Sequence, residues 1–101
     1  MPQPALILNP SARAGLLPVA AKVFWWGTPE DALQDLRRFA AQVMTYGDWD
    51  DVQTTLRFLG EGVLRSTLEN APPGVFDTKS WNYWHVFFHI TPVPPLPSRR
   101  L

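Results

Sequence analysis

The chain has 101 residues, 46% of them hydrophobic, and its nine basic and nine acidic residues leave no net charge. This length and composition predict one globular domain with a small core, and the neutral balance argues against nucleic acid or an anionic membrane as the partner. The sequence has no cysteine, which excludes disulfides, zinc–thiolate centres and thiol nucleophiles.

Prolines concentrate at the two ends of the sequence. Four fall within the first 18 residues and four between residues 92 and 97. Because proline lacks an amide hydrogen and interrupts regular structure, this distribution predicts an extended N-terminal arm over 1–17, a helical body over 18–90 and a proline-rich tail over 91–101.

The helical body begins with two predicted helices. The first runs from Pro18, which suits a first helical position, to Trp26, and Gly27 ends it. The second is predicted as one continuous helix from a cap at Thr28 to a glycine stop at Gly47. Apolar residues recur within it at helical spacing: Leu33, Leu36, Phe39, Ala40 and Val43.

Two shorter helices are predicted next. Asp48 is placed to cap the first of them, with Asp50 and Asp51 in the turn where the helix dipole favours negative charge. That helix ends at Gly60, and a short helix follows over 61–69. Helix capping thus accounts for the acidic cluster without a catalytic role.

The last predicted helix begins at a cap, Asp77, and is unusually aromatic. Its aromatic residues also suit a strand, but the sequence offers no partner strand. On a helical wheel one face carries Trp81, Trp84 and Phe88, with His85 at its edge. The opposite side carries Tyr83, Val86, Phe87 and Ile90. A helix that is apolar on two sides needs two apolar neighbours, so we expect one to be the core and the other a partner, a second copy or the tail.

These elements together predict an all-α fold, a small bundle of four to five short helices with extended proline-rich arms. No apolar run approaches the roughly 18 residues that a membrane span needs. The N-terminus lacks a basic segment ahead of its short apolar stretch, so we expect no signal peptide and a cytoplasmic protein.

Two histidines raise the possibility of a metal site. His85 and His89 are four residues apart, the spacing that lets two imidazoles on one helix face share a metal. The chain has no third histidine and no H-E-x-x-H pattern, so the simpler interpretation is a hydrogen-bonded His85 at the core edge and His89 near the surface. We expect no catalytic residues and no cofactor.

The proline-rich tail allows two interpretations. Pro94, Pro97 and Arg99 match the P-x-x-P-x-R pattern that SH3 domains bind, because polyproline II is preformed. The alternative is an arm that packs in extended form over the aromatic helix, with Leu96 and Leu101 as its anchors.

Several of these segments recur together in one known family. The runs VFWWG from Val23, YGDWDD from Tyr46, the helix around Trp81 and the PPLP tail from Pro94 resemble small bacterial proteins encoded beside abortive-infection nucleotidyltransferase toxins of the AbiEii type. The resemblance implies an antitoxin-like or accessory partner of a nucleotidyltransferase, and it implies no catalytic residues.

The sequence therefore predicts a non-enzymatic protein-interaction module with a protein partner, a nucleotidyltransferase by resemblance. The predicted partner-binding residues are Tyr83, Phe87, Ile90, Pro95, Leu96, Pro97, Arg99 and Arg100. Two alternatives stay open: a homodimeric structural protein that uses the same surface, and a metal-binding protein that uses His85 and His89.

Overall fold

The structure, a computed structural model, describes residues 9–25 and 27–97. Predictions that fall on Trp26, Arg99, Arg100 or Leu101 lie outside these residues. The described chain forms six helices and no strand: α1 Pro10–Val23, α2 Pro29–Ala32, α3 Leu36–Tyr46, α4 Trp49–Leu59, α5 Glu61–Glu69 and α6 Thr78–Phe87. The all-α prediction is confirmed. None of these helices combines the length and the apolar composition needed to cross a membrane.

Helix α1 begins eight residues earlier than predicted, so the predicted extended arm is helical from Pro10 onward. The Asn9 side chain caps the helix by accepting a 2.7 Å hydrogen bond from the Ala12 amide, and Pro10 takes the first helical position. Pro18 lies inside the helix on its exposed side. Sequence reasoning therefore assigned the helix start to the wrong proline, because burial of the opposite face offsets the cost of Pro18. That face consists of Ala12, Leu16, Val19, Ala20 and Val23.

The predicted long helix between Thr28 and Gly47 is wrong; the segment forms two helices, α2 and α3. Thr28 caps α2 as expected, but α2 ends after one turn at Ala32. Asp35 then caps α3, because its carboxylate accepts a 3.1 Å hydrogen bond from the Arg38 amide. An aspartate offers the backbone an alternative to helical hydrogen bonds, and here that alternative breaks the helix.

Capping sets the start of α4 and of α6 as the sequence predicts. At α4 the Asp48 carboxylate accepts from the Asp51 amide at 2.9 Å, and the Asp51 carboxylate accepts from the Asp48 amide at 3.0 Å. At α6 the same reciprocal pattern joins Asp77 and Ser80. Both helices therefore start at a fixed residue, which matters for the side chains that follow.

The core forms where α1, α3, α5 and α6 meet. Its largest fully enclosed apolar side chains are Phe39, Leu16, Leu64 and Val43. Two buried tryptophans on α6 complete it, and each indole N–H donates to a carbonyl: Trp84 to Met44 at 2.7 Å and Trp81 to Pro94 at 2.7 Å. Buried indoles are thus paired, as their desolvation cost requires.

The described part of the tail packs on its own chain. Val93 and Leu96 contact the core as half-buried residues, and the Pro94 carbonyl accepts the hydrogen bond from Trp81. This is the arrangement expected if the tail covers the aromatic helix with Leu96 as an anchor. The second anchor of that prediction, Leu101, lies outside the described residues.

Helix α6 ends in a two-bond turn. The Ile90 amide donates to the His85 carbonyl at 2.9 Å and the His89 amide donates to the Val86 carbonyl at 3.0 Å, the pattern of a Schellman motif. This motif requires a left-handed residue, and His89 takes that position with φ 57°.

His89 occupies a position that glycine usually fills, so we expect His89→Gly to stabilise the fold. Relief of the left-handed penalty of about 1–2 kcal/mol exceeds the added chain entropy of glycine, about 0.5–1 kcal/mol. Chemical denaturation should show a gain of roughly 0.5–1 kcal/mol in the free energy of unfolding. A loss of stability would contradict the assigned left-handed turn.

The ring of Phe58 in α4 packs directly against Gly15 in α1. A Cβ at this position would meet the Cε2 atom of the Phe58 ring at a distance too short for any real contact. Gly62 in α5, by contrast, has no neighbouring atom within 4 Å of such a Cβ. Gly15 and Gly62 therefore form a matched pair for substitution by alanine, one against a neighbouring ring and one with open space.

We expect Gly15→Ala to destabilise the protein, because overpacking costs about 1–3 kcal/mol against a gain of about 1 kcal/mol in helix propensity. Gly62→Ala should stabilise it by up to about 1 kcal/mol. In a Phe58→Ala background Gly15→Ala should change sign and stabilise. The denaturation midpoint of each variant, measured against its own parent, checks these three expectations. If Gly15→Ala still destabilises the protein in the Phe58→Ala background, the Phe58 ring is not the obstacle.

Candidate partner-binding groove

An open groove of about 460 Å³ lies between the α3–α4 turn and the first half of α6. Its floor is apolar and buried: Met44, Val52 and Trp84. Two aromatic residues, Trp49 and Tyr83, line it while remaining half exposed, each at 51%. Three charged residues also line it: Asp48, Asp77 and Lys79. We call this feature the aromatic groove.

Helix capping places both aromatic residues of the groove. Trp49 directly follows the Asp48 cap of α4, and Tyr83 follows the Asp77 cap of α6 within two turns. The Tyr83 ring packs edge-on against Trp84, with centroids 5.2 Å apart. Because Trp84 is hydrogen-bonded to Met44 at the end of α3, the two sides of the groove are held relative to each other.

The groove presents hydrogen-bond donors that the described chain leaves unused. Trp81 and Trp84 both donate their indole N–H to backbone carbonyls. The indole N–H of Trp49 and the hydroxyl of Tyr83 have no hydrogen-bond partner among the described residues. These two donors belong to half-exposed side chains and are open to bind another molecule.

The carboxylates of the groove stay ionised near neutral pH. The hydrogen bond from Lys22 is the main reason that the pKa of Asp48 is lowered, and the Asp51 amide adds to it. The pKa of Lys22 is raised, mainly by Asp48 and then by Asp51, whose carboxylate lies 3.0 Å from the ammonium. The pKa of Asp77 is lowered, first by the Ser80 amide and then by the Ser80 hydroxyl.

A second groove, of about 410 Å³, lies on the other side of α3. Trp25 and Tyr46 line it and are 80% and 64% exposed. Its charged residues are basic, Lys22 and Arg38. Two grooves with exposed aromatics and opposite charge therefore flank the end of α3.

The predicted partner-binding residues have different environments. Tyr83 is exposed and lines the groove, and Val86, one turn away, is 66% exposed. Phe87 and Ile90 are half-buried against the protein's own core. In the tail Pro95 is exposed, while Leu96 and Pro97 are half-buried. Arg99 and Arg100 lie outside the described residues.

Sequence reasoning missed Trp49. Its neighbours have the pattern of capping residues, and the tryptophan belongs to no apolar stripe. Its position directly after the Asp48 cap is not such a signal, because Leu36 directly follows the Asp35 cap and packs against the core.

The two histidines do not share a helix face. His85 is buried, and its Nδ1 donates to the Trp81 carbonyl at 2.7 Å. His89 lies beyond the end of α6 in the left-handed conformation. The i, i+4 geometry on which the metal-binding alternative depended is absent, because the helix ends at Phe87. Within residues 9–25 and 27–97, no three His, Asp or Glu side chains cluster in a way that could hold a metal ion.

Comparison of the chain with protein-family models, curated proteins and solved structures gives no match.

The Asp77 side chain should stabilise the fold more when it is ionised than when it is protonated. Its folded-state pKa is lowered, so its contribution is present above the unfolded value of about 3.9 and is lost as pH falls through the folded value. An asparagine in its place would cap α6 without titrating. We therefore expect Asp77→Asn to be less stable than wild type near pH 6, and we expect this difference to shrink as the pH falls to about 3. Urea denaturation at both pH values measures it.

Asp77→Ala is the control, since it removes the cap at either pH at a cost of about 1 kcal/mol. A wild type that loses no more stability than Asp77→Asn on acidification would contradict the assigned role of the carboxylate.

Proposed function

We propose that this protein is a non-enzymatic interaction module that binds another protein through the aromatic groove and the adjoining exposed residue of α6, Val86. The observation that carries the proposal is the half-exposure of Trp49 and Tyr83 over a buried apolar floor. Tryptophan and tyrosine are among the residues most enriched at interface hot spots. A polar rim around an apolar centre is also the usual anatomy of a protein interface.

The energy available from the groove is consistent with a partner surface larger than the groove itself. Covering the exposed half of an aromatic that buries 150–250 Å² removes about 100 Å² from water, or about 2.5 kcal/mol at 25 cal/mol per Å². Two such residues supply about 5 kcal/mol, which is close to the lower estimate of about 4 kcal/mol for the entropy lost on association. Val86 and the rim must therefore also take part.

The identity of the partner rests on the family resemblance. Small proteins encoded beside AbiEii-type toxins imply a nucleotidyltransferase as the partner, which this protein would mask or position. The groove supports binding in general, and the resemblance supplies the class of enzyme.

A homodimer is the second candidate, and one observation favours it. The aromatic groove carries Asp77, the neighbouring groove carries Arg38, and both present exposed aromatics. Two copies related by a two-fold axis would bring these surfaces of opposite charge together. The chain's lack of net charge removes a barrier to such association.

The proposal predicts that a Trp49→Ser/Tyr83→Ser double variant loses its partner. The tagged full-length chain, mixed with a nucleotidyltransferase of the AbiEii type that the resemblance implies, should retain that enzyme on affinity resin. The double variant should retain at least about tenfold less, because it lacks both anchors. Trp25→Ser, which changes an exposed tryptophan in the other groove, is the matched control and should retain the enzyme.

Thermal denaturation must first show that the variants are folded. Light scattering of the isolated chain at several concentrations then separates the two candidates. A mass that doubles with concentration, with no retained enzyme, would replace the partner proposal with the homodimer.

A further inference from the structure

We infer that the aromatic groove binds an extended, proline-containing segment of a partner protein that carries a basic residue. This inference rests on the proposed function and deepens it, because it specifies the chemistry of the segment that enters the groove. Three features of the groove support it: its aromatic residues, its unused donors and its charge.

The aromatic residues suit proline. Trp49 and Tyr83 line an open groove over the apolar surface of Met44, Val52 and Trp84. Aromatic-lined grooves are the common receptors for polyproline II segments, which lose little conformational entropy on binding.

The unused donors favour an extended ligand. The Trp49 indole N–H and the Tyr83 hydroxyl have no hydrogen-bond partner among the described residues. A helix or a paired strand uses its carbonyls internally, whereas a polyproline II segment leaves all of its carbonyls free to accept. Such a segment therefore satisfies both donors.

The protein already contains this contact once. The Trp81 indole N–H donates to the carbonyl of Pro94 at 2.7 Å, while Val93 and Leu96 on either side pack against the core. The described part of the tail thus already covers one tryptophan, Trp81 on α6. Trp49 offers the same donor and ring with the position still open.

The charge of the groove favours a basic ligand over an acidic one. Lys22 is shared between Asp48 and Asp51, so these three residues keep one negative charge beside Trp49, and Asp77 lines the groove as well. Lys79 is the one cation among the described residues that line the groove. The resulting excess of one negative charge is modest, so we expect it to change the affinity severalfold.

The experiment uses the full-length protein and a synthetic peptide of seven prolines followed by two arginines. Titration should give saturable binding, followed by the change in tryptophan fluorescence or by calorimetry. We expect Trp49→Ala to weaken binding at least about tenfold, because it removes both the ring and the donor. Asp77→Asn, which keeps the cap of α6, should weaken it severalfold, and Trp25→Ala should leave it unchanged.

Two control peptides test the chemistry of the segment. Replacing the arginines by glutamates should weaken binding severalfold, and replacing the prolines by alternating glycine and serine should abolish it. The inference would be overturned if the peptide shows no saturable binding, or if Trp49→Ala leaves its affinity unchanged.

The outcome is distinguishable from failure of the proposed function. If the peptide does not bind but the Trp49→Ser/Tyr83→Ser variant still loses the enzyme, the groove is an interface and the inferred ligand chemistry is wrong. If the peptide does not bind and the Trp49→Ser/Tyr83→Ser variant still retains the enzyme, the groove is not an interface. A dimer of this chain that the peptide dissociates would assign the groove to the tail of a second copy, and would also overturn the assignment to another protein.

Discussion

The hydrogen bond from the Trp84 indole to the Met44 carbonyl is the contact on which the site depends. Met44 lies in the last turn of α3, where carbonyls lack partners within the helix. The Asp48 amide, four residues on, donates to the Asp51 carboxylate instead, so the buried indole satisfies the carbonyl. The bond joins α6 to the end of α3, and thereby fixes Tyr83 on one side of the groove relative to Trp49 on the other.

The predictable parts of the fold are those whose residues have a single structural role. The caps at Asp48 and Asp77 and the buried face of Trp81, Trp84 and Phe88 followed from the sequence, because each lies at a position with a single low-energy solution. Proline and aspartate each have two roles. Pro18 was assigned to a helix start although it lies inside α1, and Asp35 interrupts a helix that apolar periodicity predicts as continuous. Tertiary burial decides between such roles, and sequence spacing does not record it.

The site was less predictable than the fold, for related reasons. The helical wheel identified Tyr83 as an outward residue, but it also extended α6 to Ile90, past its true end at Phe87. That extension created the histidine pair and overstated the exposure of Phe87. The backbone turn at His89 removes both effects. Which indole donates and which does not is decided by atoms far apart in sequence, so no pattern could single out Trp49.

The environment of α6 explains why a helix with two apolar sides leaves only part of its surface open. Its inner face fills the core through Trp84 and Phe88. The tail covers a second sector, since Pro94 accepts from Trp81 and Leu96 packs beside it. The third sector, Tyr83 and Val86, is covered by neither. The fold therefore leaves the apolar surface of this third sector in contact with water, which is unfavourable. A partner that covers this sector and Trp49 meets helices whose starts are set by the Asp48 and Asp77 caps and whose spacing is set by the Trp84 hydrogen bond, which lowers the entropy cost of association.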